Sequence, residues 1–276
     1  MERVIFSDNG VLIDYTNELN CFTSKTALIN FTLNEDYLYI GSDLPFNNKY
    51  FQVATPNEQN ATIFIEYWDG NKWVAAIDVI DETKINNKSL AKSGHIQWSY
   101  DANQSTMSAD DTKDIAALSS LKINSLFWLR ISFTASLSNL TALKFIGQKF
   151  SEDEDLAIFY PEMSLANTKA QFTSNKTDWN DQHFIAAEHI CRKLKVDGII
   201  KHPNQILNWR IFTEASVHKV AEMIYLAFGD DFNDNRKIAL EYYNQAMKNV
   251  INQIDLNNNA VLDSHEKFFR SGFMTR

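Results

Sequence analysis

The sequence predicts an α+β chain of two domains, an N-terminal antiparallel β-sandwich followed by a C-terminal α-helical bundle. Three observations carry that reading. Residues 25–150 hold short segments rich in β-branched and aromatic residues, several of them alternating with period two. Beyond Pro161 the apolar residues recur at steps of three and four instead. A chain of 276 residues also exceeds one usual domain, so two is the natural division.

In chain order, residues 1–24 read as an N-terminal arm or hairpin. Val4 to Phe6 and Val11 to Ile13 flank Asp8-Asn9-Gly10, and an Asn-Gly pair favours the positive φ angles of a two-residue hairpin turn. Strands are expected over 27–33, 37–40, 50–54 and 62–67, the last with Ile63, Ile65 and Tyr67 on one face. Asp69-Gly70 marks a turn from which a strand over 73–79 returns. In 127–134, Phe127, Leu129, Ile131 and Phe133 face one way and Trp128, Arg130, Ser132 and Thr134 the other. One dry and one wet face belong to an antiparallel sandwich. The polar stretch 101–122, with Asp110, Asp111 and Asp114, reads as a solvated loop, and the charge run over 151–155 as a solvated turn or linker.

The helical half follows. Asp181 is the expected cap of a helix that buries Phe184, Ala187, Cys191 and Leu194, with Gly198 at its left-handed end. His202-Pro203 introduces a short helix over 204–210. A longer helix over 212–228 places Val217, Val220, Ile224 and Phe228 on one face, and 229–234 break it. The last long helix spans 235–254. Ala239, Tyr243, Ala246, Val250 and Ile254 form its stripe, widened by Leu240, Met247 and Ile251. The boundaries are therefore 1–24 for the arm, 25–160 for the β-sandwich and 161–276 for the helical domain.

Composition restricts the function classes. The chain is 45% hydrophobic with 8 Gly and 4 Pro, which excludes disordered and collagen-like chains. No apolar run approaches the roughly 18 residues of a membrane span, and the N-terminus lacks a signal-peptide core; the expectation is a protein made and used inside a cell. Cys21 and Cys191 lie one in each half and are expected as buried reduced thiols. Net charge is −9, and the excess sits in residues 1–160, with 12 Lys+Arg against 21 Asp+Glu, while 161–276 hold 14 of each. No basic stripe suited to gripping a phosphate backbone is present in either half.

One loop has the spacing of a calcium site. With Asp255 at position 1 of an EF-hand-like loop, the ligands are Asp255, Asn257, Asn259, the Val261 carbonyl, Asp263 and Glu266. Ala260 stands where Gly makes the sharp turn, and only three of the side-chain ligands are carboxylates. The competing reading, and the better one, is a polar turn in which the Asn side chains satisfy a helix C-terminus. No Gly-rich phosphate loop, zinc-spaced Cys pair, His-Glu-x-x-His or Gly-x-Ser-x-Gly motif occurs, so a non-enzymatic protein without catalytic residues is expected. Trp68, Trp73 and Trp98 have the chemistry to stack on sugars, although Trp in a sandwich is more often core.

The segments Phe184-Ile185-Ala186-Ala187, Asp197-Gly198-Ile199-Ile200, Ile224-Tyr225 and Tyr242-Tyr243-Asn244-Gln245-Ala246, running on into Ile254-Asp255-Leu256-Asn257-Asn258-Asn259, make residues 165–276 resemble the adaptor (connector) proteins of tailed bacteriophages. Tyr67-Trp68-Asp69-Gly70-Asn71-Lys72-Trp73, Ser93-Gly94-His95-Ile96-Gln97-Trp98 and Phe127-Trp128-Leu129-Arg130-Ile131 look like the sandwich modules of phage virion proteins. Together the two halves resemble the neck ring proteins of crAss-like phages. The resemblance implies an adaptor-like bundle and a ring of twelve copies at the head-to-tail junction of the virion, assembled in the host bacterial cytoplasm. The implied partners are the portal protein, further neck or tail proteins, and DNA that passes without specific binding. The alternative from another class is a carbohydrate-binding β-sandwich on a helical scaffold with a calcium-stabilised tail.

Overall fold

The computed structural model describes residues 2–99, 101, 103–107, 125–250 and 254. The chain has an α+β composition and divides into two compact units at Gly147/Gln148. The first unit holds antiparallel sheets and one short helix, α1 (Thr16–Leu19), and the second holds the other helices.

The first unit opens as expected. Strands β1 (Arg3–Asp8) and β2 (Val11–Asp14) pair in register Asp8 with Val11 across Asn9 and Gly10, whose φ angles are 46° and 81°. That is the left-handed pair an Asn-Gly turn supplies cheaply. The hairpin then joins a sheet through β4 (Tyr37–Ser42), followed by β11 (Leu126–Phe133), β6 (Ile63–Trp68) and β7 (Trp73–Ala75), with β10 (Thr106–Met107) beside β11. The second sheet runs β3 (Ala27–Leu28), β12 (Ala142–Gly147), β5 (Asn48–Thr55), β9 (Gly94–Ser99) and β8 (Ile77–Asp81). One core joins them: Val4, Ile40, Ile65, Leu129 and Ile131 from the first sheet meet Phe51, Ile96, Leu143 and Ile146 from the second.

Three strand expectations are corrected. The stretch over 27–33 is a strand only at Ala27–Leu28. The strand expected over 73–79 is two strands in different sheets. The Ala76 amide still donates to the Ile65 carbonyl at 2.8 Å, but Asp78 takes φ 54° and sends the chain to pair with β9. The face of β11 expected to be wet is dry at its centre, where fully buried Trp128 packs with Ile5, Tyr39, Trp68 and Met107. Trp128 sits opposite Gly41, and a Cβ on Gly41 would lie 2.7 Å from the indole ring. That sheet is therefore buried on both faces at its centre, and a glycine makes room for the tryptophan.

In the second unit the charge run is no linker. Helix α2 (Asp153–Phe159) starts inside it, where acids suit a helix N-terminus, and Asp155 Oδ2 accepts the Glu152 amide at 2.8 Å. After α3 (Ala166–Phe172) comes α4 (Asn180–Val196), which buries Phe184, Ala187, Cys191 and Leu194 as expected. Asp181 does not cap α4; it lies in the first turn, while Asp178 Oδ1 accepts the Asn180 amide at 3.0 Å. Gly198 has φ 71°, with Ile199 N bonded to Leu194 O and Gly198 N to Lys195 O, a Schellman end.

The helix expected over 204–210 is two separate 3-10 turns, Pro203–Gln205 and Trp209–Phe212. Side chains outcompete the helix there: Gln205 Oε1 accepts the His202 amide at 3.0 Å, and Asn208 Oδ1 accepts the Arg210 amide at 3.2 Å. Helices α5 (Thr213–Phe228) and α6 (Asn233–Val250) follow, and α6 turns Ala239, Tyr243, Ala246, Met247 and Val250 inward. Leu240, expected in that stripe, is exposed. Replacing Gly41 by Ala should lower the stability of the two-sheet unit by about 1–3 kcal/mol, the cost of overfilling a packed site. An unchanged urea midpoint would show that Trp128 can move aside.

Candidate functional site

The densest grouping of chemically capable side chains lies where the helical unit begins. Ser151, Asp153, His183 and Ser216 come from the segment before α2, the start of α2, α4 and α5. Ser151 Oγ lies 2.7 Å from His183 Nδ1 and 2.7 Å from Ser216 Oγ. His183 Nε2 approaches Asp153 Oδ1 at 3.3 Å, a polar contact rather than a well-aligned hydrogen bond. Asp153 also accepts the Trp179 amide on Oδ1 and the Lys169 ammonium on Oδ2, both at 3.0 Å.

A serine, a histidine and an aspartate in line invite comparison with a hydrolase triad. The comparison fails on access. Ser151, His183 and Ser216 are all buried, and the Ser151 hydroxyl is enclosed between the imidazole and a second hydroxyl, so no carbonyl carbon can reach it. What the arrangement does is tie elements together: one carboxylate and one imidazole connect α2, α3, α4 and α5. Nearby Lys149, also fully buried, pairs with Glu152, donates to Asn180 Oδ1 at 2.8 Å and lies over the Phe184 ring.

The environment sets the charge states. Burial works against ionisation of Asp153, but the contacts from His183, Lys169 and the Trp179 amide outweigh it and hold the carboxyl well below the usual range. Burial pushes the His183 imidazole down from 6.5, with Asp153 opposing, so it stays neutral. Nothing local in the sequence announces this cluster, because His183 and Ser216 lie 32 and 65 positions beyond Ser151.

The sequence-derived candidates fare unevenly. Asp255, Asn257, Asn259, Val261, Asp263 and Glu266 lie outside the described residues, as do Asp110, Asp111 and Asp114. Among the described residues no group of three His, Cys, Asp or Glu side chains is placed to hold a metal ion. Trp98 is buried in the inter-sheet core with its ring edge-on to Phe46, and Trp68 is buried beside Trp73. Neither can stack on a sugar. Half-buried Trp73 has its ring covered by Arg130, which also lies over Tyr37 and makes two 2.8 Å hydrogen bonds to Glu66. Cys191 is buried, but Cys21 is exposed, contrary to expectation, and its thiol is pulled below the ordinary value by hydrogen bonds from Thr23. Among the described residues no helix is long and apolar enough to cross a membrane.

Comparison with known proteins returns nothing: no family model, curated protein or solved structure matches the chain.

The two shifts have the same sign in a stability measurement. His183 titrates lower when folded than when unfolded, so its contribution is complete above pH 6.5 and is lost as pH falls below it. Asp153, also lowered, adds a loss that begins near its unfolded value of 3.8. His189 and His218 are lowered too, chiefly by burial, and act in the same direction. Thermal unfolding followed by helical circular dichroism should show a plateau above pH 7 and a decline from about pH 6.5 downward, part of which disappears in His183→Gln. A midpoint that rises on acidification would contradict the neutral buried imidazole.

Proposed function

We propose that the chain is a structural virion protein that forms a homo-oligomeric ring at the head-to-tail junction of a tailed bacteriophage, between portal and tail. In this reading the two-sheet unit is a β-sandwich and the helical unit is an adaptor-like bundle. The sequence resemblance is to the neck ring proteins of crAss-like phages, and it implies twelve copies. The acidic excess of residues 1–160 suits a surface past which DNA moves without sticking.

The observation that carries the reading is a contiguous apolar surface on the helical unit. Phe159 and Tyr242 flank the His218 ring at centroid distances of 5.4 and 5.3 Å, and both are exposed. Ile158, beside Phe159, and Ile238, one turn before Tyr242 on α6, are exposed as well. Single exposed apolar residues are ordinary, but a joined group on two helices marks a protein contact. Ring assembly supplies such contacts in heterologous form, one face of each copy meeting a different face of the next.

Particle mass and negative-stain images of the purified full chain, alone and mixed with the portal protein from the same genome, test the proposal. Closed rings in either sample are the expected result. A chain that stays monomeric in both, at every concentration, would overturn it.

A further inference from the structure

The two-sheet unit has two open sides. β7 and β8 are joined by Ala76 alone and are the last strands of their respective sheets, so both sheets end together on that side. At the opposite end the last strands are β2 and β3, tied by the Tyr15 hydroxyl, which donates to the Leu28 carbonyl at 3.1 Å. Each side carries exposed apolar residues. Ile77 is 61% and Ile80 54% exposed on β8, while Val11 is 66% exposed on β2 and Leu28 46% on β3.

Uncovered apolar edge strands are templates for pairing, and soluble proteins normally guard them with lysine, proline or extreme shortness. β8 is guarded by the irregular backbone at Asp78 and by its two aspartates, with no lysine or proline in Ile77–Asp81, and β3 by its length of two residues. The charges of the second sheet differ between its ends. β8 carries Asp78 and Asp81, whereas Lys25 precedes β3 and Lys144 of the adjoining β12 donates to the Ser24 carbonyl. An open pocket of about 450 Å³ lies beside Lys25, lined by Asn17, Glu18, Thr23, Ser24 and Lys25, so one acid and one base face it.

We infer that the β7–β8 side of one copy packs against the β2–β3 side of the next, with Ile77 and Ile80 set against Val11 and Leu28. The inference rests on the ring reading for its occupant, a second copy of this chain. The contact is heterologous because its two faces lie at opposite ends of one sheet, roughly 19 Å apart across four strand spacings. A cross-link between them within one chain is therefore excluded by distance.

The test uses the full chain in a Cys21→Ser background, since Cys21 is an exposed free thiol. Two double variants, Ile80→Cys with Leu28→Cys and Ile80→Cys with Val11→Cys, are treated with a short bis-maleimide and compared with the three single variants. The expected result is a ladder extending beyond the dimer in at least one double variant and none in the singles. The ladder should be lost when Ile77→Lys is added to that double variant, with both thiols in place and circular dichroism and unfolding midpoint retained. A dimer from Ile80→Cys alone would mean like edges meet, and would overturn the inference; so would the absence of any ladder in both double variants. Rings without cross-links would leave the ring reading standing and remove this contact. A ladder from open filaments without rings would do the reverse.

Discussion

The helical unit depends on Asp153. Helices α2 and α3 have seven residues each, and helices that short do not persist in water on their own. The Asp153 carboxylate fixes them from outside their own hydrogen-bond ladders. From the first turn of α2 it holds Lys169 of α3, the Trp179 amide just before α4, and His183 one turn inside α4. His183 passes the connection through Ser151 to Ser216 on α5. A neutral imidazole suits this place because burial disfavours the charged ring and buried Lys149 adds to that, against the opposing Asp153 carboxylate. The apolar cores on either side, one around Ile190 and Phe212 and the other around Val217 and Ile224, then pack against helices whose positions are already set.

The two-sheet unit is held by a different constraint, the burial of its larger sheet on both faces at its centre. Inner residues such as Leu129 and Ile131 meet the second sheet, and outer residues such as Trp128 and Tyr39 form a separate aromatic cluster. Beside that cluster Arg130 lies between the Tyr37 and Trp73 rings with its guanidinium bound by Glu66. A guanidinium stacked and bidentate at once can be placed on an aromatic surface without a dehydrated, unpaired charge. The strands of this sheet therefore have little freedom to slip, because a one-residue shift would exchange two sets of large side chains of different shape.

Much of this was legible in the sequence where the signal is local. The alternation of Leu129 and Ile131, the Asn9-Gly10 turn, the stripe from Ala239 to Val250 and the left-handed Gly198 all depend on residues within a few positions of one another, and each takes the expected form. The misreadings have a common physical origin in distant partners. Trp128 looked wet because the residues that cover it, Ile5 and Met107 among them, come from elsewhere in the chain. Residues 73–79 looked like one strand because period two does not record that β9 draws the second half into another sheet. The helix expected over 204–210 lost to side-chain bonds that propensity does not weigh. The His183 cluster had no signature, because no motif ties Ser151 and Asp153 to His183 and Ser216, which lie 32 and 65 positions beyond Ser151.

The two fully buried lysines fit the same logic of placement over strength. Lys49 on β5 pairs with Glu2, next to β1 in the other sheet, and lies over the Phe46 ring; Lys149 pairs with Glu152 over Phe184. Removing an ammonium from water costs several kcal/mol, and the recovered attraction rarely exceeds that cost, so such pairs add little net stability over apolar residues of similar size. Their effect falls on alternatives. A strand order that separates Lys49 from Glu2, or a loop path that separates Lys149 from Glu152 and Asn180, leaves a bare charge in a dry interior, which is far worse than a lost contact. Both pairs sit where the chain has a choice of route, one across the two sheets and one at the entry to the helices. The lysines thus restrict each unit to one arrangement at points where hydrophobic packing alone would accept several.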